Sequence, residues 1–351
     1  MTHEELSYNC PSPSTTDSGR ISLAHGEGGR LMRRLLSEHI LPALADVAPA
    51  GDADAAILAR LGGQVVFTTD SYVVSPLFFP GGDIGKLAVF GTTNDLAVTG
   101  ARPLWLSLSL IIEEGFELAL LDSVLRSLAA SARLTGVSIV TGDTKVVPRG
   151  AADGLFINTA GVGVLLEPRW PGPEQLQCGD ELLVTGPIGQ HGTAVMATRE
   201  QFDAEPCPTS DCASLVPAVD ALRRAEIPVV TLRDATRGGV SAVLREWAAS
   251  CGRTLAIDER EVPVTPEVRG VCELLGLDPL HVANEGTMVV AVRKGFGAAA
   301  VEALSRVPDA RQAAIVGQVQ ERRVSPVVVQ RGLGRYLPLD EPLGAQLPRI
   351  C

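Results

Sequence analysis

The stretch Ile84–Val98, IGKLAVFGTTNDLAV, decides how the rest of the chain is interpreted. Its apolar residues recur at the spacing of one helical face, which predicts an α-helix over 84–98. Asn94 and Asp95 stand inside this otherwise apolar stretch. Because a carboxylate in apolar surroundings needs a partner, Asp95 is a candidate for binding a ligand.

Strand and helix patterns alternate on both sides of this stretch. Strands are predicted at 65–68, 104–112, 137–140, 155–166, 181–185, 287–293, 312–319 and 326–329. Further helices are predicted at 117–134, 190–203, 214–225, 266–275 and 297–305, and one opening after Asp234-Ala235-Thr236-Arg237-Gly238-Gly239 and running to about residue 250. Two blocks of mixed strands and helices, similar in size, follow one another. This order is typical of a two-domain chain of the α/β (α+β) class.

Proline and glycine mark the boundaries of these blocks. The predicted division is a disordered N-terminus at 1–20, a glycine-rich loop and helix at 21–50, an N-terminal domain at 51–168, a linker at 169–179, a C-terminal domain at 180–330 and a flexible tail at 331–351. The last twenty residues show neither helical nor strand periodicity, so they are interpreted as a tail.

Composition excludes several function classes. The 351 residues are 46% apolar, and the net charge is −11, which argues against a nucleic-acid surface. No apolar run approaches the ~20 residues of a membrane span, and the N-terminus lacks the pattern of a signal peptide. Seven cysteines without a CxxC pair predict a reduced, cytoplasmic protein. Apart from the terminal Cys351, the cysteines are predicted to be mainly buried.

The chain ends in Pro348-Arg349-Ile350-Cys351, and a terminal thiol is unusual. An extended tail can carry Cys351 to a partner or fold it back into a pocket. The alternative is an incidental residue on a frayed end.

Several aspartates stand at strand ends or beside small residues: Asp54, Asp70, Asp95, Asp143 and Asp234. Mg²⁺ takes carboxylates together with nucleotide phosphates, so this set predicts a phosphate-linked metal site. For each aspartate alone, a turn or a helix cap is the competing explanation.

Other residues suggest phosphate and proton chemistry. The loop from His25 to Gly29 and the turn from Asp234 to Gly239 each open a helix and can present N–H groups to an anion. Lys145 follows a strand, where it is either a surface residue or a phosphate- and proton-handling group. Glu285, in Asn284-Glu285-Gly286, is either a general base or a turn residue.

Taken together, these motifs resemble the HypE family of hydrogenase maturation proteins, within the aminoimidazole ribonucleotide synthetase-like (PurM/AIRS) ATP-binding superfamily. The resemblance covers nearly the whole chain after residue 20. It rests on the motifs at 25–29, 54–56, 69–71, 76–86, 94–97, 141–147, 234–239, 283–286 and 348–351. The segments at 141–147 and 348–351 are specific to the HypE branch.

The resemblance implies an ATP-dependent carbamoyl dehydratase. A partner carbamoyltransferase, HypF, would load a carbamoyl group on the Cys351 thiol. ATP would then drive loss of water to give an S-thiocyanate. The cyanide would pass to the iron of [NiFe] hydrogenase on a HypC–HypD scaffold. The implied fold is a two-domain one whose N-terminal domain shares a β-barrel across a homodimer.

The resemblance also implies roles for individual residues. Cys351, Lys145 and Glu285 would be catalytic, and Arg349 would seat the tail. ATP and its phosphates would be bound by His25, Gly26, Gly28, Gly29, Asn94, Asp143, Thr144, Thr236, Arg237, Gly238 and Gly239. Mg²⁺ would be held by Asp54, Asp70, Asp95 and Asp234. Whether Lys145 or Glu285 handles the proton stays open.

Two alternatives remain. A non-catalytic carrier would use Cys351 only to ferry a group and would consume no ATP. Another activity of the superfamily, such as selenophosphate synthesis, would need a reactive Cys or Lys near the loop at 25–29, and the nearest cysteine is Cys10.

Overall fold

The computed structural model describes residues 19–48, 55–202, 205–332, 334–339 and 349–351. The disorder predicted for the N-terminus falls almost wholly on residues 1–18, outside the described residues. So do Asp54 and most of the predicted tail.

The first half of the chain builds a sheet with helices on one face. Its strands are β1 (Val65–Tyr72), the short pair β2 (Phe78–Phe79) and β3 (Gly82–Asp83), β4 (Ala101–Glu113), β5 (Ser138–Val147) and β6 (Leu155–Leu165). Its helices are α1 (Arg30–Leu35), which continues through a wide turn at Leu36–Ile40 into α2 (Leu41–Leu44), α3 (Ile84–Val98) and α4 (Leu118–Thr135). Among the described residues the large sheet has the order β1-β6-β4-β5, antiparallel except for the parallel pair β4–β5.

The second half surrounds a larger sheet. Its strands are β7 (Glu181–Val184), β8 (Val229–Asp234), β9 (Thr254–Asp258), β10 (Met288–Val292), β11 (Ala314–Gln320), β12 (Val327–Arg331) and β13 (Arg335–Pro338). Its helices are α5 (Gln190–Arg199), α6 (Val216–Arg224), α7 (Gly239–Cys251), α8 (Pro266–Leu275) and α9 (Gly297–Ser305). The strand order within the described part is β13-β12-β9-β11-β7-β10-β8.

Helix α3 joins the two halves. Asp83 caps its start by accepting hydrogen bonds from the N–H groups of Gly85 and Lys86 at 2.8 and 3.1 Å. Nearly every residue of the helix is buried, since one side packs on β1, β4 and β6 and another meets β8 and α6. A helix that is apolar all round is a buried helix. This central position makes Asn94 and Asp95 available to both halves.

The cores follow the same division. One cluster fills the space between the first sheet and its helices, with Leu87, Leu106 and Leu125 fully buried. Two more clusters cover the faces of the larger sheet, one around Trp247 of α7 and one around Leu222 of α6 and Leu304 of α9. No helix in the described residues is both long enough and apolar enough to cross a bilayer.

The structure departs from the sequence prediction at several strands. Strand β5 extends to Val147 instead of ending at 140, because Gly142-Asp143-Thr144-Lys145 stays paired with β4. Strands β8 and β9 had no prediction, since continuous short apolar runs do not show an alternating pattern. Residues 335–338, predicted to lack strand structure, form β13, which pairs with β12.

Burial of the cysteines is also mixed. Cys212 and Cys272 are buried as predicted, but Cys178 and Cys207 are exposed. Cys251 is half-buried, and Cys10 lies outside the described residues.

Candidate active site

A cavity of about 810 Å³ lies between the two halves. Asp70 of β1 and Asp95 of α3 line it from one side, and Asp234 at the end of β8 lines it from the other. Glu285 and the terminal Cys351 also contribute to its wall. The structure therefore brings these five proposed residues together, although they are separated by up to 281 positions along the chain. Three more proposed residues line the same cavity: Thr236, Arg237 and Arg349.

Alternation along β1 explains the placement of Asp70. Thr68, Asp70 and Tyr72 share the less exposed side of the strand, facing α3. The Thr68 hydroxyl donates to Oδ2 of Asp95 at 2.8 Å, and the Tyr72 hydroxyl to Oδ2 of Asp70 at 3.4 Å. Burial, and next the charge of Asp95, raises the pKa of Asp70 to about 6, although Arg237 acts in the opposite direction.

Asp234 completes a set of three aspartates. Burial raises its pKa to about 7, with the charges of Asp95 and Asp70 adding to the effect, while Arg233 opposes it. Carboxylates held in this way repel one another, and a cation placed between them would relieve that repulsion.

Within the described ranges, no group of three or more potential metal ligands lies close enough to form a ready-made site. Mg²⁺ commonly takes only one or two carboxylates and completes its shell with phosphate oxygens and water. The aspartates therefore fit Mg²⁺ that arrives with a phosphorylated ligand better than a resident ion held by protein alone.

The turn after β8 adds the cationic part of the cavity. Thr236 and Arg237 line the cavity, and Gly238 and Gly239 follow at the start of α7. Gly239 has φ of +60°, and a Cβ there would lie 2.6 Å from the carbonyl oxygen of Val282. A glycine is needed at this position because both the backbone conformation and the neighbouring chain exclude a side chain.

Glu285 is almost fully buried, at 4% exposure. Its own N–H and that of Gly286 donate to the two carboxylate oxygens of Asp211 at 3.0 and 3.1 Å, which fixes the backbone that carries the side chain. Burial raises the pKa of Glu285 well above its ordinary value, and the charges of Asp234 and Asp211 raise it further. Burial in this cavity therefore favours the neutral form of the Glu285 carboxyl group.

Asn94, predicted to bind ATP, forms hydrogen bonds within the protein. Its amide nitrogen donates to the carbonyls of Ala213 and Glu285 at 3.0 and 3.1 Å, and its oxygen accepts from the N–H of Leu215 at 2.8 Å. Both N–H groups of the amide are thus used inside the protein. Asn94 ties α3 to the loop that carries Asp211 and to Glu285.

The C-terminus enters the same cavity. A main-chain carboxylate oxygen of Cys351 accepts from the N–H of Val73 at 3.2 Å. Arg349, predicted to seat the tail, donates to the Val73 carbonyl at 3.1 Å and forms an exposed ion pair with Asp153 at 2.8 Å. Burial, and next the charge of Glu285, raises the pKa of the Cys351 thiol to about 12. The docked sulfur is therefore a thiol and not a thiolate at neutral pH.

Lys145 does not reach this cavity within one chain. It lies on β5, which is separated from β1 by β4 and β6, so the two strands are about 14 Å apart. Its ammonium group forms an exposed ion pair with Asp143 at 3.0 Å. Within one chain Lys145 and Glu285 do not meet around one substrate, because Lys145 lies on the edge strand opposite β1, and β1 lines the cavity that contains Glu285.

The glycine-rich loop lies beside the same strand. A Cβ on Gly26 would meet Val146 at 3.0 Å, which places the loop against β5. The His25 ring accepts from the N–H of Ser22 at 3.0 Å and caps the short turn Leu23–Gly26. Gly28 and Gly29 are exposed. The proposed phosphate-binding residues thus divide into a cavity group and a β5 group, the second being His25, Gly26, Gly28, Gly29, Asp143 and Thr144.

Sequence reasoning missed Asp211 and Tyr72. Asp211 orients the Glu285 backbone, and the Tyr72 hydroxyl links Asp70 to the hydroxyl of Thr92, 3.1 Å away. Neither residue stands in a motif, so no sequence signal marks it. Their contribution depends on contacts between distant segments.

Comparison with known proteins shows the family of the whole chain. Residues 52–165 match the family model of the AIR synthase related protein N-terminal domain, and residues 177–330 match the C-terminal domain of that family. Carbamoyl dehydratase HypE of Escherichia coli K12 is 48% identical over 337 residues, covering 94% of this chain and 99% of the relative.

Two solved structures are similar over the same extent. A crystal structure of hydrogenase maturation protein HypE in complex with ATP has a TM-score of 0.86 at 40% identity and covers 94% of this chain and 99% of that one. A HypE–HypF complex has a TM-score of 0.76 at 39% identity and covers 90% and 100%. The cavity carboxylates, the terminal cysteine and these relationships lead to one conclusion: the chain belongs to the HypE family of carbamoyl dehydratases in hydrogenase maturation, within the AIR synthase-related superfamily.

Proposed function

We propose that this protein dehydrates an S-carbamoyl group on its own Cys351 to an S-thiocyanate, using ATP, and so supplies cyanide for the iron of [NiFe] hydrogenase. The observation that carries the proposal is the placement of Cys351 in the carboxylate cavity beside Glu285. A pure carrier would have no use for three half-buried aspartates and a buried glutamate around its cargo, because withdrawing carboxylates from water is costly.

The chemistry needs activation of a poor leaving group. ATP would phosphorylate the carboxamide oxygen, and phosphate would leave as the nitrogen loses its protons. Mg²⁺ bound by Asp70, Asp95 and Asp234 would neutralise phosphate charge. Arg237 adds a positive charge in the same cavity.

We assign the proton transfer to Glu285. It lies beside Cys351 in the cavity of the same chain, whereas Lys145 of that chain lies on the far edge of the sheet. A carboxyl group with a raised pKa is a stronger base once it is ionised and a better hydrogen-bond donor while it is neutral. The Glu285 backbone is held by Asp211 and Asn94, which limits where the carboxyl group can point.

Loading is proposed to occur with the tail released. A thiol whose pKa is about 12 is a poor nucleophile, so the docked Cys351 is unsuited to accept a carbamoyl group. The HypE–HypF complex supports HypF as the loading partner, and a HypC–HypD scaffold is proposed to receive the cyanide. A reactive thiol needs a reducing compartment, which supports a cytoplasmic location.

A homodimer is proposed to complete the site. The face of the first sheet turned away from α3 and α4 exposes Val65, Phe67 and Ile111, and it also carries the Lys145–Asp143 pair. A second copy packed on this face would cover apolar surface. It would also bring its own Lys145 and glycine-rich loop towards the cavity of the first copy, so the β5 group and the cavity group would meet between chains.

Mixing two inactive variants tests this arrangement. Lys145→Ala and Glu285→Gln should each be inactive as pure dimers, whereas subunit exchange should restore about a quarter of the wild-type rate, because half of the randomly mixed dimers carry one intact site. Mixing Lys145→Ala with Lys145→Ala,Glu285→Gln gives the matched control. No recovery after demonstrated exchange would show that Lys145 does not act across the dimer.

Mass spectrometry of the C-terminal peptide tests the reaction. The full chain is loaded by a carbamoyltransferase with its substrates, separated from it, and then given Mg-ATP. We expect Cys351 to gain a carbamoyl group and then to lose the mass of one water only with ATP. Glu285→Gln should stall at the carbamoyl stage, and Glu302→Gln, at an exposed position of α9, should not. Loading without an ATP-dependent change would favour the carrier.

A further inference from the structure

We infer that His191 is a positioning residue that holds the C-terminal segment in the cavity through its main chain. The inference deepens the proposed function, since it explains how Cys351 is presented to Glu285. His191 is completely buried near the start of α5, and nothing in the sequence motifs marks it.

Both nitrogens of His191 have partners. Nε2 lies 2.5 Å from the carbonyl oxygen of Ile350, and Nδ1 lies 2.9 Å from the hydroxyl of Ser210. A carbonyl oxygen can only accept, so Nε2 carries the hydrogen and Nδ1 accepts from Ser210. The Ser210 oxygen in turn accepts from the N–H of Cys212 at 3.1 Å, which leaves its hydrogen for the ring. The neutral ring is therefore set to donate to the tail.

Arg199, on the same helix, makes a second main-chain contact. Its guanidinium donates to the carbonyl of Arg349 at 2.7 Å and to the carbonyl of Ser75 at 2.6 Å. Ser75 also donates its N–H to the Arg349 carbonyl at 3.3 Å. The Ile350 side chain is 5% exposed and belongs to the core cluster of the first half. The tail thus fills a gap between the segment after β1 and helix α5.

None of these contacts uses the sulfur of Cys351. The groups that hold the tail recognise the carbonyls of Arg349 and Ile350 and the apolar side chain between them. A carbamoyl or cyano group on the sulfur leaves these partners unchanged. These main-chain contacts can therefore hold the tail in the same position whether Cys351 carries a free thiol, a carboxamide or a thiocyanate. We call this set of contacts the dock, and within it His191 controls how long the tail stays in the cavity.

The rate at which Cys351 is alkylated in the full chain measures how often the C-terminal segment leaves the cavity. The protein is treated with iodoacetamide at pH 8 and cleaved before Asp340, and the modified terminal peptide is quantified with time. In the same sample, exposed Cys178 is the internal reference for reagent activity, and buried Cys212 and Cys272 report unfolding.

We expect His191→Ala to increase the Cys351 alkylation rate by about tenfold, the factor that corresponds to about 1.4 kcal/mol of lost tail binding. Cys178 should react at the wild-type rate, and Cys212 should stay protected. His191→Gln should return most of the protection, because its amide can donate to the Ile350 carbonyl. His39→Ala, which changes a partly buried histidine bonded to Asp122, should have no effect.

An unchanged Cys351 rate in folded His191→Ala would overturn the inference. If His191→Ala exposes Cys212 and is therefore unfolded, the alkylation rate of Cys351 in Ser210→Ala is the test. This substitution removes the partner of Nδ1 while keeping the ring, and an increase of about threefold is expected from the weakened hydrogen bond. No increase in Ser210→Ala would then overturn the inference.

A second readout separates positioning from general damage. Once carbamoylated, His191→Ala should lose water about tenfold more slowly in a single turnover, with the dependence on ATP concentration unchanged and with rescue by His191→Gln. Alkylation requires neither ATP nor a carbamoyl group. If alkylation follows the expected pattern and no dehydration occurs, the dock stands and the proposed reaction fails.

Discussion

Replacing Asp234 with asparagine should stabilise the metal-free protein while abolishing its response to Mg-ATP. Asp234 is held in the cavity with a pKa of about 7, because burial and the charges of Asp95 and Asp70 disfavour its ionised form. Against an ordinary aspartate pKa of about 4, this corresponds to about 4 kcal/mol of lost stability once the group is ionised in the folded state. Asparagine has nearly the same shape and never ionises.

The sign of the pH dependence follows from proton binding. Between about pH 4 and pH 7 the folded state binds the Asp234 proton more tightly than the unfolded state does, so stability falls as the pH rises through this range. Above pH 7 the full loss is present, and below about pH 4 both states are protonated and the loss disappears. The advantage of Asp234→Asn should therefore be large at pH 8 and absent near pH 4.

Thermal unfolding of the full chain in EDTA measures this effect. At pH 8 the Tm of Asp234→Asn should exceed that of the wild type by about 3–6 °C, given the unfolding entropy of a chain of this size. Asp220→Asn, at an exposed ion pair with Arg224, is the matched control and should change stability by less than about 0.5 kcal/mol.

Added Mg-ATP should then raise the Tm of the wild type and not that of Asp234→Asn. An equal or lower Tm for Asp234→Asn at pH 8 would refute the reasoning. So would a gain of the same size at pH 4, because a pH-independent gain cannot come from the removed carboxylate.

Two further changes test how the site is held together. Asn94→Ala leaves the carbonyls of Ala213 and Glu285 and the N–H of Leu215 without their partner, and should lower the free energy of unfolding in urea by about 2–4 kcal/mol; a loss below about 1 kcal/mol would mean that the amide is not the tie between α3 and these loops. Gly286→Ala places a Cβ 1.9 Å from the carbonyl oxygen of Asp211 and must displace the loop that aligns Glu285, so dehydration of carbamoylated Cys351 should fall by about 10²-fold or more. Gly270→Ala, where the added Cβ meets nothing, is the control for Gly286→Ala. Equal dehydration rates for the two variants would contradict the conclusion that the close approach of Gly286 to Asp211 aligns Glu285.

Sequence alone determined much of this protein. Helix α3 was predicted with its observed limits, because a mainly apolar stretch of fifteen residues is long for a strand and of ordinary length for a buried helix. The motifs around Asp70, Asp95, Asp234 and Glu285 pointed to a carboxylate site because local residue types carry that information. The terminal Pro348-Arg349-Ile350-Cys351 separated the HypE family from other members of the superfamily.

Tertiary structure decided which of those residues meet. The strand order β1-β6-β4-β5 separates Lys145 from Glu285 within one chain, and pairing order is not encoded in any short stretch. Burial turned Asn94 from a predicted ligand residue into a structural tie, and it set the pKa values of Asp234 and Cys351. His191 could not be recognised beforehand, because its role exists only where α5 meets a tail that is 159 residues away in sequence. Local patterns specify elements and chemistry, whereas distances, burial and partners arise from contacts between distant segments.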